Sequence, residues 1–311
     1  MRNKSRLLPS RRRFIASSTA VVASTALAKT SCSLASSDNS SKREGIFGFS
    51  KPFAGYSPED TADMVAEIGW DGIECPVRKH HTHIDPERVE EMLPKMAEAL
   101  KKRDKKIAIV STDITHVDPM AERILKTIAS LGIKRYRFGF KHYSKDRSIE
   151  QTVKEFGAQL KDLSALNAEL GLQGGYQNHS GSNYIGGPIW DLWLMMKDLD
   201  AATVGICWDI GQAMIEGGLS WPTQARLTRN LWVAVHVKDF VWKRTEKRGW
   251  QPEWCRLGEG RITEQFYENL KATRYSGPIS QHHEHLKAGM PHKDLVNELK
   301  MDFEALKTRL A

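Results

Sequence analysis

The sequence predicts a single-domain α/β fold, a (β/α)8 TIM barrel spanning residues 45–311. Short β-type runs recur eight times at intervals of about 25 to 45 residues, the beat that an eightfold βα barrel requires. Between them lie segments of helical periodicity bounded by capping and stop residues. No Gly-x-Gly-x-x-Gly follows the first run, so the doubly wound open sheet lacks its phosphate-binding turn.

The first run is 46–49 (Ile-Phe-Gly-Phe). Ser57-Pro58-Glu59-Asp60 then opens a helix, with Ser as cap and Pro at the first helical position. Ala62, Val65 and Ile68 share one face of it, and Gly69 stops it. The second run, 72–75, is Gly-Ile-Glu-Cys. Asp85-Pro86 and Asp118-Pro119 open the next two helices in the same way, on either side of the third run at 107–111. After the fourth run, 134–139, Ser148 opens the longest pattern. Its Val153, Phe156, Leu160, Leu163, Leu166 and Leu170 recur at helical spacing before Gly171. The remaining runs are 172–177, 203–208, 232–237 and 278–281.

Of 311 residues, 40% are hydrophobic and 27% charged, a globular composition with material for a large core. The formal net charge is +8, but six basic side chains and no acidic one lie in the first 28 residues, leaving about +2 for the rest. That balance, without a basic stripe, argues against a nucleic-acid partner. Ser10-Arg11-Arg12-Arg13-Phe14-Ile15 precedes a weakly apolar run ending in Ala26-Leu27-Ala28 and resembles a twin-arginine export signal. About 15 mildly apolar residues fall short of the roughly 20 needed to span a bilayer, so no stable membrane span is expected. Residues 1–28 thus read as a cleaved signal, 29–44 as a polar flexible linker, and the destination as periplasmic or extracellular. This route carries folded proteins, which favours a metal acquired before export. Cys32 in the linker and the odd set Cys75, Cys207 and Cys255 offer neither a disulfide framework nor a cysteine-rich zinc site.

In such a barrel chemistry sits where the strands stop. Those positions are strongly polar: Glu74; Ser111-Thr112-Asp113 with His116; Lys141-His142; Gln177-Asn178-His179; Asp209 with Gln212; His236, Lys238 and Asp239; and Gln281-His282-His283-Glu284. Carboxylate, imidazole and amide donors from the last four strands would converge on one mouth. The combination suits a divalent cation such as Mn²⁺, Zn²⁺ or Mg²⁺.

Gly-Ile-Glu-Cys at the second strand, Tyr176-Gln177-Asn178-His179 at the fifth and Cys207-Trp208-Asp209-Ile210-Gly211 at the sixth carry a resemblance. It is strengthened by Val235-His236-Val237-Lys238-Asp239, Leu257-Gly258-Glu259-Gly260 and Ile279-Ser280-Gln281-His282-His283-Glu284. Over roughly 45–305 the chain resembles the xylose-isomerase-like barrel superfamily, more narrowly its sugar phosphate isomerase/epimerase branch. The resemblance implies one divalent metal held against a keto sugar by Glu, Asp, His and Glu from strands five to eight. By position Asp209 and His236 match, whereas Gln177 and His282 stand where the glutamates would be, giving a metal set of Gln177, Asp209, His236 and His282.

In the epimerases those glutamates also move the proton beside the carbonyl, and Gln177 cannot act as a base. Proton removal then falls to an imidazole or another carboxylate: His179, His282, Glu74 or Glu284. Lys238 would orient or polarise the substrate. One-base enolisation is better supplied than two-base epimerisation, and with a leaving group on the next carbon it gives β-elimination, as in relatives that cleave 3-keto-glycosides. The expected function is therefore an isomerase or epimerase acting on a keto sugar, with a lyase as the second reading. An exported, non-catalytic sugar-binding barrel is a third, since losing both glutamates is what decay of catalysis would look like. The superfamily's apurinic endonucleases carry a histidine three positions after the sixth-strand aspartate, where this chain has Gln212.

The segment after the seventh strand reads as a loop carrying Trp242, Trp250 and Trp254 among Lys243, Arg244, Lys247, Arg248 and Arg256. Trp242 and Trp250 would stack on a sugar, or the loop is a solvated one with its aromatics packed on the rim. His83, before Asp85-Pro86-Glu87, matches a family substrate contact, while His80 and His81 read as surface residues. The sugar and the oligomeric state are left open.

Overall fold

The computed structural model describes residues 43–80, 83–286 and 289–311. The twin-arginine segment, linker residues 29–42 with Cys32, and His81 lie outside them. Among the described residues there are ten strands: β1 (Ile46–Phe49), β2 (Gly72–Val77), β3 (Lys106–Thr112), β4 (Arg135–Arg137), β5 (Gln173–Gln177), β6 (Val204–Asp209), β7 (Trp232–Val237), β8 (Asp239–Thr245), β9 (Gly249–Cys255) and β10 (Ile279–Gln281). Eight of them close a parallel barrel in the order β1-β10-β7-β6-β5-β4-β3-β2. These are the eight runs expected from the sequence.

The helices begin and end where their caps say. In α1 (Pro58–Ile68) the Ser57 hydroxyl accepts the Asp60 N–H at 3.0 Å, and Gly69 closes the helix at φ 98°, a conformation glycine adopts without strain. Asp85 caps a short 3-10 turn, Pro86–Arg88, which runs into α2 (Val89–Lys101). Asp118 caps α3 (Pro119–Ser130), and Ser148 with Gln151 forms a reciprocal capping box on α4 (Ile149–Leu170). The others are α5 (Trp190–Met196), α6 (Ile210–Gly217), α7 (Trp221–Thr228), α8 (Glu264–Ala272) and α9 (His292–Leu310). Their apolar faces pack on the barrel's outer surface, where Trp208 of β6 stacks on Trp232 of β7 at 4.6 Å. A second apolar cluster, Phe47, Ala108, Ile109, Cys207, Val233 and Ala234, is drawn from the strands alone. Among the described residues no helix is long and apolar enough to cross a membrane.

The segment after the seventh strand is not a loop but an antiparallel hairpin, β8 paired with β9, and this corrects the sequence reading. Phe240 faces Trp254 and Arg244 faces Trp250, so with period two Phe240, Trp242 and Arg244 share a face with Trp254, Pro252 and Trp250. The hairpin is pinned at its base by Asp239. Its carboxylate accepts the backbone N–H groups of Phe240, Gly258, Gly260, Arg261 and Ile262 at 2.7–3.1 Å. Gly260 sits so close that a Cβ there would overlap the Asp239 carboxylate and the Phe240 carbonyl. The two most specific motifs of the sequence, His-Val-Lys-Asp and Leu-Gly-Glu-Gly, are thus halves of one clip. Hydrogen bonds to a charged group contribute about 1.5–3 kcal/mol each and are not additive, so Asp239→Ala is expected to cost about 3 kcal/mol or more, read as a lower urea midpoint.

Candidate active site

At the carboxyl ends of the barrel strands the inward side chains form a buried polar ring. Glu74 of β2 lies at its centre, fully buried. One of its oxygens, Oε1, accepts from Ser111 of β3 and lies 3.1 Å from Nε of Arg137 on β4. The other, Oε2, accepts the Ser280 hydroxyl of β10 at 2.6 Å and lies 3.0 Å from Nε2 of His282 and 3.4 Å from Nε2 of His236. Arg137 also donates to Oε1 of Gln177, whose amide donates to Asp209 Oδ2 at 2.7 Å. The same Asp209 oxygen lies 3.1 Å from Lys238 Nζ, and Lys238 donates to Glu284 at 2.9 Å. Glu284 stands 3.8 Å from Nδ1 of His282. Six charged or chargeable groups therefore alternate in sign around the mouth, as buried charges must.

Glu284 is the member of this ring that reaches solvent, with 29% of its side chain accessible. On one side lies a cavity of about 520 Å³ whose lining includes Phe49, Lys51, Tyr56, Glu284, Leu286 and Met290. On the other, a cavity of about 350 Å³ is lined in part by Lys243, Gln251, Trp254, Glu284 and His285. Among the described residues Glu284 alone lines both. Phe49 joins the larger cavity to the ring by stacking on His282 at 4.6 Å, and Trp254 lies under the Lys238 ammonium at 4.5 Å.

Burial alone would raise the Glu74 carboxyl, but His236, His282 and Arg137 outweigh it and hold Glu74 well below the usual carboxylate range. Burial likewise opposes the charge on Glu284, and Lys238 and His282 reverse it, so Glu284 is ionised. Lys238 is raised against its own burial by Asp209 and Glu284. His282 is raised, burial being overcome by Glu74 and Glu284, whereas burial lowers His236 far enough to keep it neutral. Burial also lowers His83, His179 and His283. Stability should therefore depend on pH with two limbs. The four lowered histidines take up protons on unfolding that the fold refuses, so stability falls as pH drops below their usual 6.5. His282 contributes fully below 6.5 and loses its contribution as pH rises through its higher folded value. Urea midpoints of chelator-treated protein should peak near neutrality, and His282→Asn should remove the alkaline limb alone.

The superfamily's divalent metal can be tested against these side chains. Both ring nitrogens of His236 are buried without a hydrogen-bond partner, and the ring is neutral, so a lone pair is available. The 3.4 Å separation of His236 from Glu74 Oε2 matches the edge of a ligand tetrahedron, about 3.3–3.4 Å for bonds of about 2.0–2.1 Å, while His282 hydrogen-bonds to the same oxygen at 3.0 Å and would release its proton to bind a cation. Glu74, His236 and His282 thus fit a divalent ion as an N₂O donor set. Of the quartet suggested by the sequence, His236 and His282 converge in this way. Gln177 and Asp209 instead bind each other and the cations Arg137 and Lys238, while Asp209 Oδ1 caps α6 through the Gln212 N–H.

The other sequence candidates are dispersed around the mouth. His179 bonds through Nδ1 to the Ser180 carbonyl at 2.8 Å and stacks on Tyr184 at 4.2 Å. His83 is buried, its Nε2 2.8 Å from the Ser50 carbonyl, and Ser50 in turn donates to the Glu74 carbonyl. Trp242 and Trp250 stand on the hairpin, 37% and 64% exposed. Arg137 was not singled out from the sequence, and Ser111 and Ser280 were named there only as part of the strand-end motifs, without a role. Arg137 ends β4, and a charged residue between two buried apolar positions, Tyr136 and Phe138, was the available signal.

The comparisons agree with this architecture. No curated protein sequence matches the chain. Solved structures share its fold: 3-keto-D-glucoside 4-epimerase YcjR from E. coli, apo form, matches at TM-score 0.62 and 17% identity, over 83% of this chain and 98% of that one. A D-allulose 3-epimerase from Methylomonas sp. in complex with D-allulose matches at 0.63 and 15%, over 86% and 98%. A xylose isomerase-like TIM barrel protein from Mycobacterium smegmatis in complex with magnesium matches at 0.63 and 14%, over the same shares. The model of the xylose isomerase-like TIM barrel family matches residues 62–301, and the chain belongs to that family.

Proposed function

We propose that the protein transfers a proton at the carbon next to the carbonyl of a keto sugar or sugar derivative, with one divalent cation held by Glu74, His236 and His282. The observation that carries this is Glu284: an ionised carboxylate tied to Lys238, facing His282, and lining two cavities, the larger of sugar size. Two of the similar structures are those of a 3-keto-glucoside epimerase and an allulose epimerase, which supports a sugar as the substrate class. Two imidazoles and one carboxylate suit Mn²⁺ or Zn²⁺ better than Mg²⁺.

A bound cation supplies polarisation of the substrate carbonyl, which acidifies the adjoining C–H. Lys238 orients the substrate oxygen, and as its ammonium turns from Glu284 to that oxygen the carboxylate regains basicity and takes the proton. His179, two residues beyond the end of β5, is the group that would return a proton. Arg137 and Gln177 hold Glu74 and Asp209 in position, and Trp242 and Trp250 offer ring faces to the sugar. Because Gln177 is an amide and no base, Glu284 is the carboxylate of the ring that reaches the rim, which favours enolisation with β-elimination as the second reading.

The test is proton-to-deuterium exchange followed by NMR on metal-loaded protein offered ketoses and 3-keto-glycosides in D₂O. Exchange beside the carbonyl, abolished by chelator, supports the proposal, and the product distinguishes epimerisation from elimination. Binding of metal and sugar without exchange would move the non-catalytic sugar-binding reading ahead. Twin-arginine export to the periplasm is part of the same proposal. Replacing Arg11, Arg12 and Arg13 together by Lys should leave the chain in the cytoplasm, as read by cell fractionation.

A further inference from the structure

We infer that the chain carries a second divalent-cation site, formed by His283, His285 and Asp302, which latches the last helix to the last barrel strand. The run His282-His283-Glu284-His285 is divided by its direction. His282 and Glu284 face the mouth, whereas His283 and His285 both face Asp302 of α9. His283 and Asp302 are buried, with 0% and 4% of their side chains accessible, and His285 keeps 11%.

Without a cation His283 hydrogen-bonds to Asp302, whereas His285 faces the same oxygen from beyond hydrogen-bond distance, and a shared cation would join all three. Asp302 Oδ2 is 3.2 Å from Nδ1 of His283 and 3.6 Å from Nε2 of His285. A charge-assisted N–H···O bond would be about 2.7–2.9 Å, and 3.6 Å is not a hydrogen bond. The two values straddle the edge of about 3.3–3.4 Å between ligands of a tetrahedral ion bound at about 2.0–2.1 Å. Nε2 of His285 is buried without a hydrogen-bond partner, and Nε2 of His283 has none either. Asp302 is held for the role by its second oxygen, which accepts the Leu257 N–H at 3.1 Å. Two imidazoles and a carboxylate suit Zn²⁺, with the fourth position left to solvent. The site shares no ligand with the ring of Glu74, His236 and His282, although His283 and His285 also line the two cavities beside Glu284, and it does not depend on the proposed reaction.

The experiment titrates the full chain, freed of metal, with Zn²⁺ by calorimetry and counts bound ions after desalting, with Co²⁺ absorption as a second readout. Compared with the unmodified chain, His285→Ala and Asp302→Asn should each lose one bound ion, while His236→Ala retains it. In the His236→Ala chain Zn²⁺ should raise the unfolding temperature, and adding His285→Ala should remove that rise. Unchanged ion counts in both His285→Ala and Asp302→Asn would overturn the site. His285→Ala removes a side chain at the edge of the cluster, so its result stands even if Asp302→Asn fails to fold.

Discussion

Glu74→Gln is expected to lower stability by about 3–5 kcal/mol and to abolish turnover, the largest effect of any single substitution. The change preserves volume and removes a charge that four neighbours require. Arg137 and a protonated His282 would be left in the barrel interior without a counter-charge, and Ser111 and Ser280 would face a group able to donate as well as accept. Removing one partner of a buried ion pair is costly because the remaining charge stays desolvated. Replacing both with apolar groups can be nearly neutral. Urea unfolding measures the loss, and metal counting on the refolded variant measures the cation. A Glu74→Gln chain with unchanged midpoint and full metal content would refute this account of the ring.

Glu284→Gln should separate chemistry from folding. The residue is at the rim, and Lys238 keeps Asp209 as a partner when Glu284 is gone, so the midpoint should change by less than about 1 kcal/mol. The rate of proton transfer should fall by about 10²–10⁴, the usual contribution of a positioned base. Loss in kcat with little change in KM is the expected split, because the amide still fills the wall between the two cavities. Retention of full exchange activity would shift the base to His179.

All eight barrel strands and the first four helix starts were legible in the sequence, and for local reasons. Ser57, Asp118 and Ser148 announce helices through bonds to N–H groups three residues on, and Gly69 and Gly171 end them. The hairpin was not, because its strands mix aromatic with charged and polar residues, β9 carries a Pro, and only the turn Glu246-Lys247-Arg248-Gly249 marks it. Reading the strand ends found Glu74, His236, His282, Lys238 and Glu284, but not how they group. Which acid meets which base depends on the register and closure of the barrel, and these bring Glu74 of β2 against residues of β7 and β10 more than 160 positions away. Arg137 escaped notice for the same reason, since its partners Glu74 and Gln177 come from β2 and β5.

The Asp239 clip has a consequence for how such a barrel diversifies. It gathers the start of β8 and the chain beyond β9 onto one carboxylate, so everything between them leaves and re-enters the barrel through a single fixed point. Residues 243–251, outward of the Trp254 ring that packs under Lys238, can then lengthen or shorten without disturbing Lys238, one position before the clip. The outer hairpin is thus a cassette whose length and surface can vary while the polar ring at the strand ends stays constant.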